Sequence, residues 1–126
     1  MAEVTNTYRT VTPYLLVSDA DAELAFVTAA FAAHEVNCQR NPDGTVMHAE
    51  IAIGDSLVML GQAGGKWTAR PAALYLWVQD VDAIYARALA AGATSESEPE
   101  DKPYGHRNAG VVDRNGITWW IGAPVK

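Results

Sequence analysis

Tyr14-Leu15-Leu16-Val17-Ser18-Asp19-Ala20-Asp21-Ala22 and Tyr75-Leu76-Trp77-Val78-Gln79-Asp80-Val81-Asp82-Ala83 are two versions of one segment. Tyr, Val, both Asp and Ala coincide at an offset of 61 positions (75 − 14). The same offset lays Leu57-Val58-Met59-Leu60-Gly61 over Thr118-Trp119-Trp120-Ile121-Gly122. An ungapped match at both ends marks an internal duplication. The halves span about 11–62 and 72–123, joined by the Gly/Ala-rich link Ala63 to Pro71.

Each half reads as strand, helix, then three strands. Val11 to Val17 and Ala72 to Val78 are apolar, β-branched and aromatic runs of strand length. Each runs into an acidic helix start. Ser18 with Asp21 fits a capping box, and Asp80 or Asp82 can cap the second helix. Leu24, Val27 and Phe31 recur at helical spacing, as do Ile84 or Tyr85 with Ala88 and Leu89. His34 reads as a residue of the first helix's C-terminus. Gly92 fits the position that ends the second helix. Hairpin turns are expected at Pro42-Asp43-Gly44, Gly54-Asp55 and Asn115-Gly116. The expected fold is α+β, two tandem βαβββ modules within a single domain, 1–126. Curved mixed sheets surround a cavity, with the helices on the outer face.

Composition bounds the function. The chain has 126 residues, 49% of them hydrophobic, enough for one domain with a core. A formal net charge of −6 argues against a nucleic-acid partner, which requires clustered Lys and Arg. The single cysteine, Cys38, excludes an internal disulfide and fits a reducing, cytoplasmic compartment. Met1 to Thr10 is polar, unlike a signal peptide. No apolar run approaches the roughly 20 residues that span a bilayer, so no membrane partner is expected. Gly61 to Gly65 lacks the Lys-Ser/Thr ending of a phosphate loop, and no Ser-His-Asp or Cys-His arrangement stands out.

The duplicated unit resembles the vicinal oxygen chelate superfamily of glyoxalases, bleomycin-resistance proteins and extradiol dioxygenases. Pro13-Tyr14-Leu15 through Asp21, Val78 through Asp82, and Pro103-Tyr104-Gly105-His106-Arg107 through Ile121 carry the likeness. Asp113-Arg114-Asn115-Gly116 looks like the family's Asp-Pro-x-Gly turn, with Arg114 where Pro is usual. In metal-dependent members each module supplies two ligands, from the start of its first strand and from its last strand. The resemblance places these at Thr12, Met59, Ala73 and Trp120. None is a credible ligand for zinc, nickel or iron, which take imidazole, carboxylate or thiolate. The expectation is therefore no metal and no cofactor.

If those positions face the family's cavity, period-2 alternation brings Tyr14 and Met59 there, with Tyr75, Trp77 and Trp120. Leu15, Val17, Leu76, Val78 and Trp119 take the opposite parity and are expected in the core. Such an aromatic face suits a planar ligand, although an aromatic row can also be plain core. Three polar candidates accompany it. His48, two residues before Glu50, reads as a polar contact, a metal pair or an acid–base pair. Tyr104 to Arg107 could address a ligand's carbonyl or phenol, or Arg107 could pair with an acidic neighbour such as Asp113. Trp67 in the link is a lid or a dimer contact.

The candidate binding residues are thus Tyr14, His48, Met59, Trp67, Tyr75, Trp77, Tyr104, Arg107 and Trp120, with no catalytic residue assigned. Metal-free members of the family sequester drugs such as bleomycin or mitomycin. The resemblance therefore implies a metal-independent binder of an aromatic small molecule, a homodimer, and a role in antibiotic resistance. The alternative is an enzyme. It would be a metal-dependent lyase, isomerase or dioxygenase rebuilt around His48 and Glu50, or a metal-free acid–base catalyst using His48, Glu50 or His106.

Overall fold

The segment written twice in sequence is built twice in space. The computed structural model describes residues 8–126, so most of the polar N-terminus discussed above lies outside it. In chain order the elements are β1 (Tyr14–Val17), α1 (Ala20–Phe31), β2 (His34–Arg40), β3 (Val46–Ile53) and β4 (Ser56–Gln62), followed by β5 (Ala72–Trp77), α2 (Val81–Ala90), β6 (Thr94–Asp101), β7 (His106–Val112) and β8 (Ile117–Pro124). They form two four-stranded sheets, β1-β4-β3-β2 and β5-β8-β7-β6. In each, the first strand runs parallel to the last and the other pairs are antiparallel. The α+β architecture of two mixed-sheet βαβββ modules is therefore the observed one.

Local chemistry explains the boundaries, with three departures from expectation. The cap of α1 is Asp19 rather than Ser18, because the Asp19 carboxylate reaches the Ala22 N–H at 3.0 Å. Asp80 does the same for α2 through Ala83. α1 stops where Ala32 turns into the left-handed region (φ 56°), so His34 opens β2 instead of closing the helix. β1 begins at Tyr14, three residues later than expected. Pro13 has no N–H to donate, although its carbonyl still accepts from Met59. Gly44, Gly54 and Gly116 hold the three expected turns at positive φ, and Gly92 follows the end of α2.

Each helix covers one face of its own sheet, and the two helices pack against each other. The core lies in this layer. Leu15, Val17, Val27, Ile51, Leu60, Ile117 and Trp119 are all buried there, and Phe31 of α1 meets Trp119 of module two with ring centroids 5.0 Å apart. Leu15, Val17 and Trp119 thus sit where alternation places them. Leu76 and Val78 have the same parity but remain only half-buried.

The modules meet at two pseudo-equivalent junctions, and these differ. At one, the β7–β8 turn of module two holds the start of α1. Asn115 Oδ1 accepts from the Asp19 N–H at 3.0 Å. Its Nδ2 donates to the Asp19 carbonyl and to Glu23 Oε1, both at 2.9 Å. Asp113 accepts from the Asn115 and Ile117 N–H groups and from Trp119 Nε1. Glu23 is 1% exposed and Asp113 5%. Burial, and then the adjacent Asp113, push the Glu23 pKa up to about 8. Glu23 Oε2 is buried and faces no donor, so a proton there, shared with Asp113, satisfies it.

At the other junction the duplication places Ile84 where module one has Glu23, and strand pairing places Ile53 where module two has Asp113. No polar bridge is possible between such side chains. A cavity of about 650 Å³ lies there instead, bounded by Ile53, Gly54, Leu76, Val78 and Ile84. That opening explains why Leu76 and Val78 are less buried than Leu15 and Val17.

Candidate ligand-binding site

Strand register decides which side chains share the helix-free face of each sheet. Tyr14 pairs with Met59 and Met59 with Glu50, which sets Tyr14, Met59, Glu50 and His48 on one face of module one. Tyr75 pairs with Trp120, Trp120 with Gly110, and Asn108 with Gly122. The helix-free face of module two therefore carries Tyr75, Trp77, Trp120, His106 and Asn108. Three glycines make room for the rings. A Cβ at Gly122 would fall 2.2 Å from the Tyr75 hydroxyl, and one at Gly110 only 2.5 Å from the Trp120 ring. At Gly61 an added Cβ would meet the Met47 carbonyl at 2.9 Å and the Tyr14 hydroxyl at 3.1 Å. Tyr75 and Trp120 come this close to the sheet because the residues beneath them have no side chain.

The two faces differ chemically. In module one, His48 Nε2 lies 3.3 Å from Glu50 Oε2, and the His48 ring is 5.7 Å from that of Tyr14. Tyr8 joins them. Burial, then the Glu50 carboxylate, raise the pKa of its hydroxyl. This is a small acid–base cluster. In module two the contacts are aromatic: Tyr75 to Trp77 at 5.4 Å, Trp77 edge-on to His106 at 4.7 Å, and His106 edge-on to Tyr104 at 5.2 Å. Asn108, 4% exposed, donates from Nδ2 to the hydroxyls of Tyr75 (3.3 Å) and Tyr104 (3.1 Å). Tyr75, Trp77 and Tyr104 nonetheless stay largely exposed.

Of the nine residues singled out by sequence, Tyr14, His48 and Met59 gather on the first face, and Tyr75, Trp77, Tyr104 and Trp120 on the second. Arg107 joins neither. Its odd parity turns it toward the α2 side, where it pairs with Asp82 at 2.8 Å and Asp101 at 3.1 Å. Those two carboxylates take it rather than Asp113, whose oxygens are occupied by Trp119 and backbone N–H groups. Trp67 stays in the link, exposed, with the Lys66 ammonium 5.1 Å from its ring centroid.

The family's four metal positions offer a poor donor set. The Thr12 hydroxyl donates to the Arg9 carbonyl at 3.2 Å, Met59 offers a thioether, Ala73 nothing, and Trp120 an N–H. Among the described residues no group of three or more His, Cys, Asp or Glu is arranged to hold a metal. These residues do not fit the family's metal. Sequence reasoning also missed Asn108 and Tyr8. Asn108 shares the parity of Tyr104, His106 and Gly110, and that alternation was the available signal.

Residues 8–121 match the model of the Glyoxalase/Bleomycin resistance protein/Dioxygenase superfamily. The chain belongs to this superfamily. The Mycobacterium tuberculosis H37Rv protein Rv0887c is 37% identical over 127 residues, covering 92% of this chain and 75% of that protein. Mb0911c of Mycobacterium bovis has the same identity and is covered to 84%. Among solved structures, TioX from Micromonospora sp. ML1 superposes with a TM-score of 0.74 at 26% identity, covering 94% of this chain and 98% of TioX. The fosfomycin resistance protein FosX from Mesorhizobium loti shares the fold, with a TM-score of 0.68 at 16% identity over 93% and 92% of the two chains. No helix among the described residues is long and apolar enough to cross a membrane.

Proposed function

We propose that this superfamily member binds a planar aromatic small molecule without a metal, and protects the cell by sequestering it. One observation carries the reading. Module two presents Tyr75, Trp77 and Tyr104 as an exposed aromatic face braced by the half-buried His106, while the superfamily's ligand positions hold Thr12, Met59, Ala73 and Trp120. Exposed aromatic rings next to a few fixed polar groups are the usual composition of a small-molecule site. The structural neighbours include a fosfomycin resistance protein, which is in keeping with a protective role. The chain acts in the cytoplasm as a homodimer.

Titrating the protein with a panel of flat polycycles tests this by calorimetry. Binding at micromolar or tighter affinity, unchanged by chelator and lost in Trp77→Ala, is the expected result. No binding by any member of the panel would sink the reading. Light scattering tests the dimer, and a monomeric mass counts against it. The His48–Glu50 pair beside Tyr8 and Tyr14 favours a second reading, an acid–base enzyme. Turnover abolished by Glu50→Gln would establish that reading in place of the first.

A further inference from the structure

The hydrogen bonds around Asn108 assign a polarity to the face of module two. An amide NH₂ has two hydrogens and no lone pair to offer. Asn108 spends both, one on the Tyr75 hydroxyl and one on the Tyr104 hydroxyl. Each phenol oxygen is therefore an acceptor in that bond and keeps its own O–H. Asn108 is buried, pairs with Gly122 across the β7–β8 ladder, and cannot swing away. Gly122 lets the Tyr75 ring lie close to the sheet, which keeps its hydroxyl at the amide. Two phenolic O–H groups are thus held by one nitrogen, and each keeps its proton for a ligand. The edge-on Trp77–His106–Tyr104 rings stand beside them.

From this, and resting on the reading that this face binds flat aromatic molecules, we infer that its ligand class is a planar aromatic with a ring carbonyl or similar acceptor oxygen. That oxygen accepts from Tyr75 and Tyr104 while the rings stack. Asn108 is a positioning residue, since it sets the direction of both hydroxyls. A ligand edge carrying only donors meets two donors and is disfavoured. Module one has no such device: His48 lies at the place matching Asn108, and its partner is the Glu50 carboxylate.

The test compares fluorenone-carboxylate with fluorene-carboxylate, two flat tricycles that differ in the ring carbonyl. Calorimetry on the full-length protein should give roughly tenfold or greater preference for the ketone per hydroxyl engaged. Tyr75→Phe and Tyr104→Phe should each erase much of that preference by weakening the ketone more than fluorene-carboxylate, with the fold intact by circular dichroism. Asn108→Asp replaces the donor by an acceptor, turns the phenol protons inward, and should abolish the preference with the fold intact by circular dichroism. Equal affinity for the two probes, or a preference that survives both Phe variants, overturns the inference and leaves the face as a binder. If neither probe binds, the inference is overturned, and the panel of polycycles decides whether the underlying reading stands.

Discussion

The two junctions between the modules occupy matching places in a duplicated fold, and they were filled in opposite ways. One is a polar knot of Glu23, Asp113 and Asn115 with almost no exposure. The other, around Ile84 and Gly54, is a cavity of about 650 Å³ with no polar bridge at its Ile84 side. Duplication supplied two equal contacts. The polar one now fixes how module two sits on α1, and the open one leaves β5 less covered than β1. The same divergence separates the two helix-free faces, acid–base in module one and aromatic in module two.

The largest way to break this comparison is Asp113→Ala. It strands the Trp119 indole N–H and two backbone N–H groups in the core, at about 1–3 kcal/mol each when unsatisfied. Urea denaturation should show a loss on the order of 4 kcal/mol, and a loss under about 1 kcal/mol would mean the knot does not hold the modules. Next comes the pair Leu15→Ala and Leu76→Ala, the same position in the two modules. The first should cost about 3 kcal/mol and the second about half that, because its surroundings are already open. Equal costs would show that the cavity closes in solution.

Glu23→Gln sharpens the comparison through pH. In the fold the Glu23 carboxyl titrates at about 8 instead of the ordinary 4.5. The stabilisation from its proton is complete below about 4.5 and is lost as pH rises through about 8, because the unfolded chain gives up that proton first. Wild-type stability should fall across that window, while Glu23→Gln, which cannot ionise, should fall less. Parallel curves for the two proteins would remove the proton from the junction. The smallest effect is expected for Arg107→Ala. This guanidinium is about 36% exposed and points away from the aromatic face, so stability should fall by no more than about 1 kcal/mol and aromatic-ligand affinity should stay within error. A clear loss of affinity would return Arg107 to the binding site.

The sequence was more informative about the sheets than about what joins them. The offset between Tyr14 and Tyr75 foretold two modules, and period-2 alternation foretold that Tyr14 would face with Met59 and Tyr75 with Trp120. Those relations are local, or repeat at one fixed distance. Glu23 was not legible as a buried acid, because the groups that bury it lie some ninety positions away. One clue was present: the duplication sets Glu23 against Ile84, an apolar position. His34 and Ser18 fall outside the positions their spacing suggests because a helix end depends on which carboxylate and which backbone angle are used, and neighbouring residues compete for both. Arg107 was ambiguous for a similar reason, since acidic neighbours surround it in sequence and only the fold chooses Asp82 and Asp101.

The placing of the tryptophans gives the protein two optical signals of its own. Trp119 is sealed in the core with its N–H on Asp113, so it should emit in the blue and follow the state of the junction. Trp77 and Trp67 stand in water and should emit further to the red. A ligand on the aromatic face should dim the red component and spare the blue, whereas loosening of the modules should shift the blue toward the red. One emission spectrum therefore distinguishes occupancy from unlocking without any label.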